Sequence, residues 1–279
     1  MKGKINCSLN LACRYGSYLS ALSYSAYLRF ITTSLRIRGI LITEPYACEH
    51  NYSVEILSID PLVIYINGFL KEFEIKHLLE VTNTQFDHSY VYDSDLKSVV
   101  DQRYRTSQSA MVSPKDFVSI CLSERMKSLL GNIQHIDTEP LQVVKYEGGE
   151  RFRIHMDWFD RPRNETFNPK TPFRSYNRLG SIFAYLEDGC SGGETYFPDI
   201  RGVAPDADGD KFTRTETGEG LLVNPRRGNA VFWNNLFMNG SGDPRVAHAG
   251  RPVLSGRKTG MNLFSYYYLD VPIAGGESG

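Results

Sequence analysis

The sequence predicts a mainly β protein with flanking helices, an α+β arrangement in which a sandwich or jelly roll of short strands packs against helices. Three observations carry that expectation. After Leu141, short apolar runs (141–146, 151–155, 180–186, 221–223, 230–233, 245–249 and 260–269) are separated by Glu147-Gly-Gly149, Gly189–Gly193, Pro225–Gly228 and Asn239–Asp243. Runs this short between turn-forming clusters read as strands. Helical patterns are confined to the upstream part. The 17 Tyr and 15 Phe suit pleated, half-buried surfaces.

The first 43 residues lack Asp and Glu but carry Lys2, Lys4, Arg14, Arg29, Arg36 and Arg38. Residues 1–52 read as a basic extension, either an organelle-targeting presequence or an unstructured tail. Its apolar stretch Leu19–Ile31 is too short and too polar to span a bilayer, so no stable membrane span is predicted. Residues 53–140 supply strands and supporting helices. Strands are expected at 54–60 and 62–66, and Asn67-Gly68 turns the chain into an amphipathic helix over 69–81. Ser113-Pro114 is expected to cap a second helix that runs to Leu130 and stops at Gly131. Residues 141–272 form the strand-rich core. The polar stretches 161–178 and 199–219 read as long loops.

A net charge of −1 gives no electrostatic reason to expect nucleic acid as a partner. The five cysteines are odd in number and contain no CxxC pair, which argues against a disulfide framework and a thiolate zinc site. Reduced thiols and an intracellular, cytoplasmic setting follow as the expectation, with organelle import the alternative. The sequons at Asn164 and Asn239 would matter only in a secreted protein.

Arg153-Ile-His155-Met-Asp157 places an imidazole and a carboxylate two residues apart at the end of a predicted strand. Side chains at i and i+2 share a face, so both reach one ion. His248, in another predicted strand, is the best candidate for a third ligand. Two imidazoles and one carboxylate leave open positions on an octahedral ion, as in non-haem iron(II) oxygenases; a zinc hydrolase is the chemical alternative. The remaining histidines lie upstream, and His77, His88 and His135 read as surface or turn residues. Lys258 follows His248 by ten residues, across an expected turn at 252–256. If it points inward it needs an anionic partner, because an unpaired buried charge is expensive.

These residues sit in blocks that resemble the prolyl 4-hydroxylase branch of the iron(II)/2-oxoglutarate dioxygenases. The blocks are Gln142–Asp157, Tyr185-Leu186, Gly192-Gly-Glu-Thr-Tyr-Phe-Pro198, Pro225–Trp233 and His248–Lys258. The resemblance implies a double-stranded β-helix, with iron(II) held by His155, Asp157 and His248. It implies that Lys258 pairs with the distal carboxylate of 2-oxoglutarate and that Tyr146 and Tyr185 line the co-substrate pocket. Arg105-Thr-Ser107 matches a block near the substrate entrance. The implied reaction hydroxylates an unactivated C–H bond with O2 while 2-oxoglutarate becomes succinate, with ascorbate as reductant. Phe264 stands where this motif commonly has tryptophan, and the segment upstream of the core is too short for a separate peptide-binding domain. The substrate is therefore a peptidyl proline or, alternatively, a free amino acid, short peptide or secondary metabolite. An inactive barrel acting as a binding module is the reading from another class.

Overall fold

The computed structural model describes residues 32–37, 40–92, 97–131, 136–164 and 174–270. It divides into two compact units, one over Ile5–Asn51 and one containing Tyr52–Gly279. In the first, Thr32–Ile37 and Ile40–Pro45 pair as an antiparallel hairpin. Residues 1–31 of the basic extension, and with them the targeting question, lie outside the described residues. So do His135 and the centre of the 161–178 stretch, including most of the Asn164 sequon.

The larger unit is built on two antiparallel sheets. Its ten-stranded sheet runs from Ser53–Ile59 through Leu62–Asn67, Ala230–Asn234, Ser175–Glu187 and Lys258–Tyr268 to Gln142–Tyr146 and Gln108–Met111. A five-stranded sheet orders Phe152–His155, His248–Gly250, Thr195–Phe197, Leu221–Val223 and Phe212–Thr213. The strands Ser53–Ile59, Leu62–Asn67 and Gln108–Met111 thus share one sheet with the core strands. Central strands such as Ala230–Asn234 are buried along almost their whole length, because neighbours flank them and both faces are covered.

Val63, Tyr65, Val144, Phe183, Val231 and Trp233 fill the space between the sheets with Phe197, Leu221 and Val223. Each fully buried side chain of this size contributes roughly 1.5–3 kcal/mol of transfer free energy. Gly260 makes one close approach feasible: a Cβ there would sit 2.2 Å from the Phe183 ring. The ring occupies that space and forms part of the cavity wall described below.

Helix α1 spans Glu72–Thr82 and helix α2 spans Phe117–Leu129. The first begins later than its periodicity suggests, because Phe69 and Leu70 are core residues of the preceding turn, where Gly68 takes φ 64°. The second is capped by Asp116, whose side chain accepts from the amides of Val118 and Ser119, rather than by Ser113. Asp116 also bonds His77 Nε2 at 2.7 Å, and His77 packs 4.5 Å from the Phe117 ring. His77 is therefore a paired structural residue, not a solvated one.

Three other expectations are corrected. The 245–249 run divides into a 3-10 turn, Pro244–Val246, and a strand beginning at His248. The expected turn at 252–256 contains a strand, Val253–Gly256, paired with Cys190–Gly192. Cys48 and Cys121 are each disulfide-bonded, which spacing along the chain could not show. Cys190 is the free cysteine among the described residues, so the thiol count no longer argues for a reducing compartment. No described helix is long and apolar enough to cross a membrane.

Candidate active site

His155 closes one strand of the five-stranded sheet and His248 opens its neighbour, and the two are direct partners in register. Residues opposite one another in an antiparallel pair project to the same face, and the ring centroids lie 4.3 Å apart. Asp157 follows the first strand and completes a cluster whose ligand atoms all fall within 4.8 Å of one another. His155 Nε2 is 3.7 Å from Asp157 Oδ1, and His248 Nε2 is 3.7 Å from Asp157 Oδ2. Those separations exceed hydrogen bonds and leave room for an ion between the atoms.

Each outer ring nitrogen is held by a main-chain carbonyl, His155 Nδ1 by Arg153 O at 2.8 Å and His248 Nδ1 by Val246 O at 3.0 Å. A carbonyl only accepts, so both Nδ1 atoms carry the proton and both Nε2 lone pairs face Asp157. Burial, followed by the neighbouring His248, lowers the His155 pKa to about 3 despite Asp157. For Asp157, burial pushes the carboxyl up, but His248, His155, Arg178 and the Ser181 hydrogen bond outweigh it and leave the pKa lowered. A neutral imidazole and an ionised carboxylate are the forms that bind a divalent metal, so the donor set fits iron(II).

Asp157 Oδ2 accepts from Ser181 Oγ at 2.7 Å, and Ser181 Oγ in turn accepts from Asn235 Nδ2 at 2.9 Å. All of these side chains are buried. Ser181 and Asn235 lie outside any motif, so sequence reasoning missed them. Ser181→Ala is expected to lower iron(II) affinity about 10- to 100-fold, the usual effect of removing a partner that orients a ligand. Titrating iron into the anaerobic apoprotein checks this, and an unchanged affinity would remove Ser181 from the role.

The triad opens on a cavity of about 820 Å³. Lys258, 2% exposed, lines it. Its Nζ donates to Gly193 O at 2.6 Å and stands over the rings of Phe183 and Tyr146 at 4.9 and 5.2 Å. Tyr146 is opposite Lys258 in register, so both project to the inner face. Burial lowers the Lys258 pKa to about 8, with Cys190 and Glu194 opposing. Among the described residues no carboxylate lies within ion-pair distance of Lys258, and a dicarboxylate's far end would supply one.

The Tyr185 ring stands 5.8 Å from Lys258 Nζ, behind the cavity wall. Its hydroxyl lies 2.8 Å from Thr195 Oγ1, and Thr195 lines the cavity. Thr195 belongs to the Gly192-Gly-Glu-Thr block, so its signal was present in the sequence. Arg105 lines the cavity from the other side, with Nε bonded to Ser107 Oγ at 2.9 Å and its guanidinium 4.7 Å from the Phe152 ring. Phe264 also lines the cavity, covered by Arg178 at 3.7 Å, and Arg178 pairs with Glu139 at 2.7 Å. The aromatic rings of Phe152, Phe197 and Trp233 pack against the two histidines, Trp233 at 4.5 Å from His248.

Two imidazoles and one carboxylate inside an antiparallel two-sheet barrel, with a buried lysine on the same cavity wall, define a non-haem metal oxygenase of the 2-oxoglutarate-dependent class. Comparison with known proteins agrees. Residues 141–266 match the family described as the 2OG-Fe(II) oxygenase superfamily. Prolyl 4-hydroxylase 1 of Arabidopsis thaliana is 30% identical over 210 residues, 75% of this chain and 70% of that protein. Prolyl 4-hydroxylase 2 of the same plant is 27% identical over 252 residues, 86% of this chain and 79% of that protein. The crystal structure of a viral collagen prolyl hydroxylase from Paramecium Bursaria Chlorella virus-1 shares the fold. Its TM-score is 0.51 at 20% identity, covering 74% of this chain and 96% of that one. The chain belongs to the 2OG-Fe(II) oxygenase superfamily and is a prolyl 4-hydroxylase-like dioxygenase.

Proposed function

We propose that this dioxygenase hydroxylates proline within a peptide or protein chain, with ascorbate as the reductant that keeps the iron reduced. The observation that carries the reading is the cavity mouth. It exceeds what a five-carbon dicarboxylate needs, and Tyr104, Met111, Ile154 and Met156 are exposed around it. Exposed apolar groups collected at a catalytic opening suit an extended ligand that covers them. Relatives over most of the chain are named as prolyl 4-hydroxylases.

His155, Asp157 and His248 would hold iron(II), and Lys258 with Tyr146 would receive the distal carboxylate of 2-oxoglutarate. Bound together, iron and 2-oxoglutarate supply the oxidising power that turns a C–H bond into C–OH as O2 is consumed and succinate and carbon dioxide leave. The chain's own contribution is placement and exclusion of water. Arg153 O and Val246 O fix the two imidazoles, Ser181 fixes Asp157, and the packed aromatic rings keep the ligands dry.

Succinate release tests the reading. Proline-containing peptides are expected to stimulate it above the uncoupled rate, whereas free proline and other amino acids leave it unchanged. Stimulation by free amino acids alone would instead make the protein a tailoring oxygenase.

A further inference from the structure

Phe237-Met-Asn239-Gly-Ser241 contains the acceptor pattern for an asparagine-linked glycan, Asn-x-Ser with x other than proline. The segment is the tip of a small hairpin between the strand Ala230–Asn234 and the 3-10 turn Pro244–Val246, closed by an antiparallel bridge from Leu236 to Gly242. The Gly240 amide donates to Phe237 O at 2.9 Å, and the Phe237 amide donates to Ser241 O at 2.8 Å. Gly240 takes φ 83°, the left-handed conformation that a three-residue hairpin loop needs at its last position.

Asn239 is the central residue of that loop and is exposed. Its Oδ1 accepts from the Ser241 amide at 3.0 Å and from the Ser241 hydroxyl at 2.6 Å. Both bonds go to the oxygen, and among the described residues Nδ2 has no hydrogen-bond partner. The base of the hairpin is fixed. Trp158 Nε1 donates to Asp243 O at 3.1 Å, and the Trp158 ring packs so closely on Gly242 that a Cβ there would sit 2.1 Å from it.

The tip carries apolar surface that a polar turn does not need. Met238 is 79% exposed and Phe237 38%, with the Arg245 guanidinium 5.2 Å from the Phe237 ring. A sugar ring presents C–H groups along its faces, and a glycan on Asn239 would lie beside both side chains. None of residues 237–241 lines the catalytic cavity, so a glycan at this tip leaves the metal centre open.

The cysteines supply the second observation. Cys48 and Cys121 are disulfide-bonded, and such bonds form and persist in the secretory pathway and outside the cell. Asparagine-linked glycans belong to proteins of that same route. The chain has further sequons at Asn6, Asn51 and Asn164. Asn6 lies outside the described residues, and the other two run into strands, Ser53–Ile59 and Arg163–Asn164. Asn239 stands on an exposed loop instead.

We propose that Asn239 is an N-glycosylation site. The donor is a lipid-linked oligosaccharide diphosphate. A bond forms between Asn239 Nδ2 and the anomeric carbon of the first sugar as the bond from that carbon to the diphosphate oxygen breaks. The diphosphate keeps the bonding pair, and Nδ2 gives up one proton.

The test uses the full chain, with its own N-terminal extension, expressed in a eukaryotic host. The purified protein is treated with a glycan-releasing amidase in heavy-oxygen water, which turns each glycosylated asparagine into a labelled aspartate that peptide mass spectrometry locates. Asn-Gly also deamidates unaided, so a parallel sample without the amidase sets the background. Label is expected at residue 239 in the wild type. It should be lost in Ser241→Ala and retained in Ser241→Thr, and Asn239→Gln should lose the gel shift of one oligosaccharide. Ser241→Ala keeps the asparagine, so the test stands even where Asn239→Gln fails to fold. Succinate release in all three variants is expected to match the wild type. An Asn239 labelled no more than background in the wild type would overturn the proposal, whether the other sequons are labelled or the whole chain is bare. So would label at 239 that survives Ser241→Ala.

Discussion

Asp157→Ala is expected to reduce substrate-stimulated succinate formation to background and to leave the anaerobic protein unable to retain stoichiometric iron(II). The loss of retained iron(II) should exceed that of any other single change at the site. Asp157 is the one anionic ligand, and it stands 3.7 Å from each Nε2. Its removal leaves two neutral imidazoles to bind a divalent cation without local charge compensation. His155→Ala is expected to give the same loss of turnover, because the remaining imidazole and carboxylate occupy only two positions on the ion. Metal content measured beside succinate release decides the matter. A folded Asp157→Ala protein with full turnover would exclude the triad as the metal centre.

The triad was legible because its signal is local. An i, i+2 pair at the end of a strand has one geometric consequence, and the pleat delivers it. His248 needed the surrounding blocks, since nothing in its own neighbourhood states which strand lies opposite; the structure pairs it directly with His155. Elements failed where a nearby alternative competed. Ser113-Pro114 has the form of a helix start, but Asp116 lies closer to the first helical amides and takes them. Phe69 and Leu70 fit a helical stripe, yet they are buried as part of the turn. Ser181 and Asn235 were invisible because a buried hydroxyl and amide gain their meaning only from the carboxylate they meet across the sheet. Tyr185 likewise gains its contact with the wall through a partner in the other sheet. Its hydroxyl bonds Thr195, and the shorter side chain occupies the wall. The cysteines repeat the lesson: an odd, scattered set says nothing about which thiols the fold oxidises.

Lys258→Met should separate stability from co-substrate binding, with opposite signs. The ammonium is enclosed by Phe183, Tyr146 and Tyr185 and bonded to one carbonyl. Burial lowers its pKa from 10.5 to about 8. An unfolded chain holds that proton up to about 10.4, so between roughly pH 8 and 10 the unfolded state binds more protons and stability rises with pH. Below pH 8 the full cost of the buried charge is present, on the order of a few kcal/mol. An apolar side chain of similar length removes that cost, and the ligand-free variant is expected to melt at or above the wild-type temperature at pH 7. The same change removes the cation that faces the distal carboxylate of 2-oxoglutarate. Losing one partner of a desolvated charge pair costs about 2–5 kcal/mol, or roughly 30- to several-thousand-fold in affinity. The 2-oxoglutarate requirement should therefore rise steeply while anaerobic iron(II) affinity changes little, because Lys258 is not a metal ligand. In the wild type, 2-oxoglutarate affinity is expected to fall as pH rises past 8 and the ammonium is lost, and this dependence should vanish in Lys258→Met. A variant with an unchanged co-substrate requirement, or with the pH dependence intact, would remove Lys258 from the site.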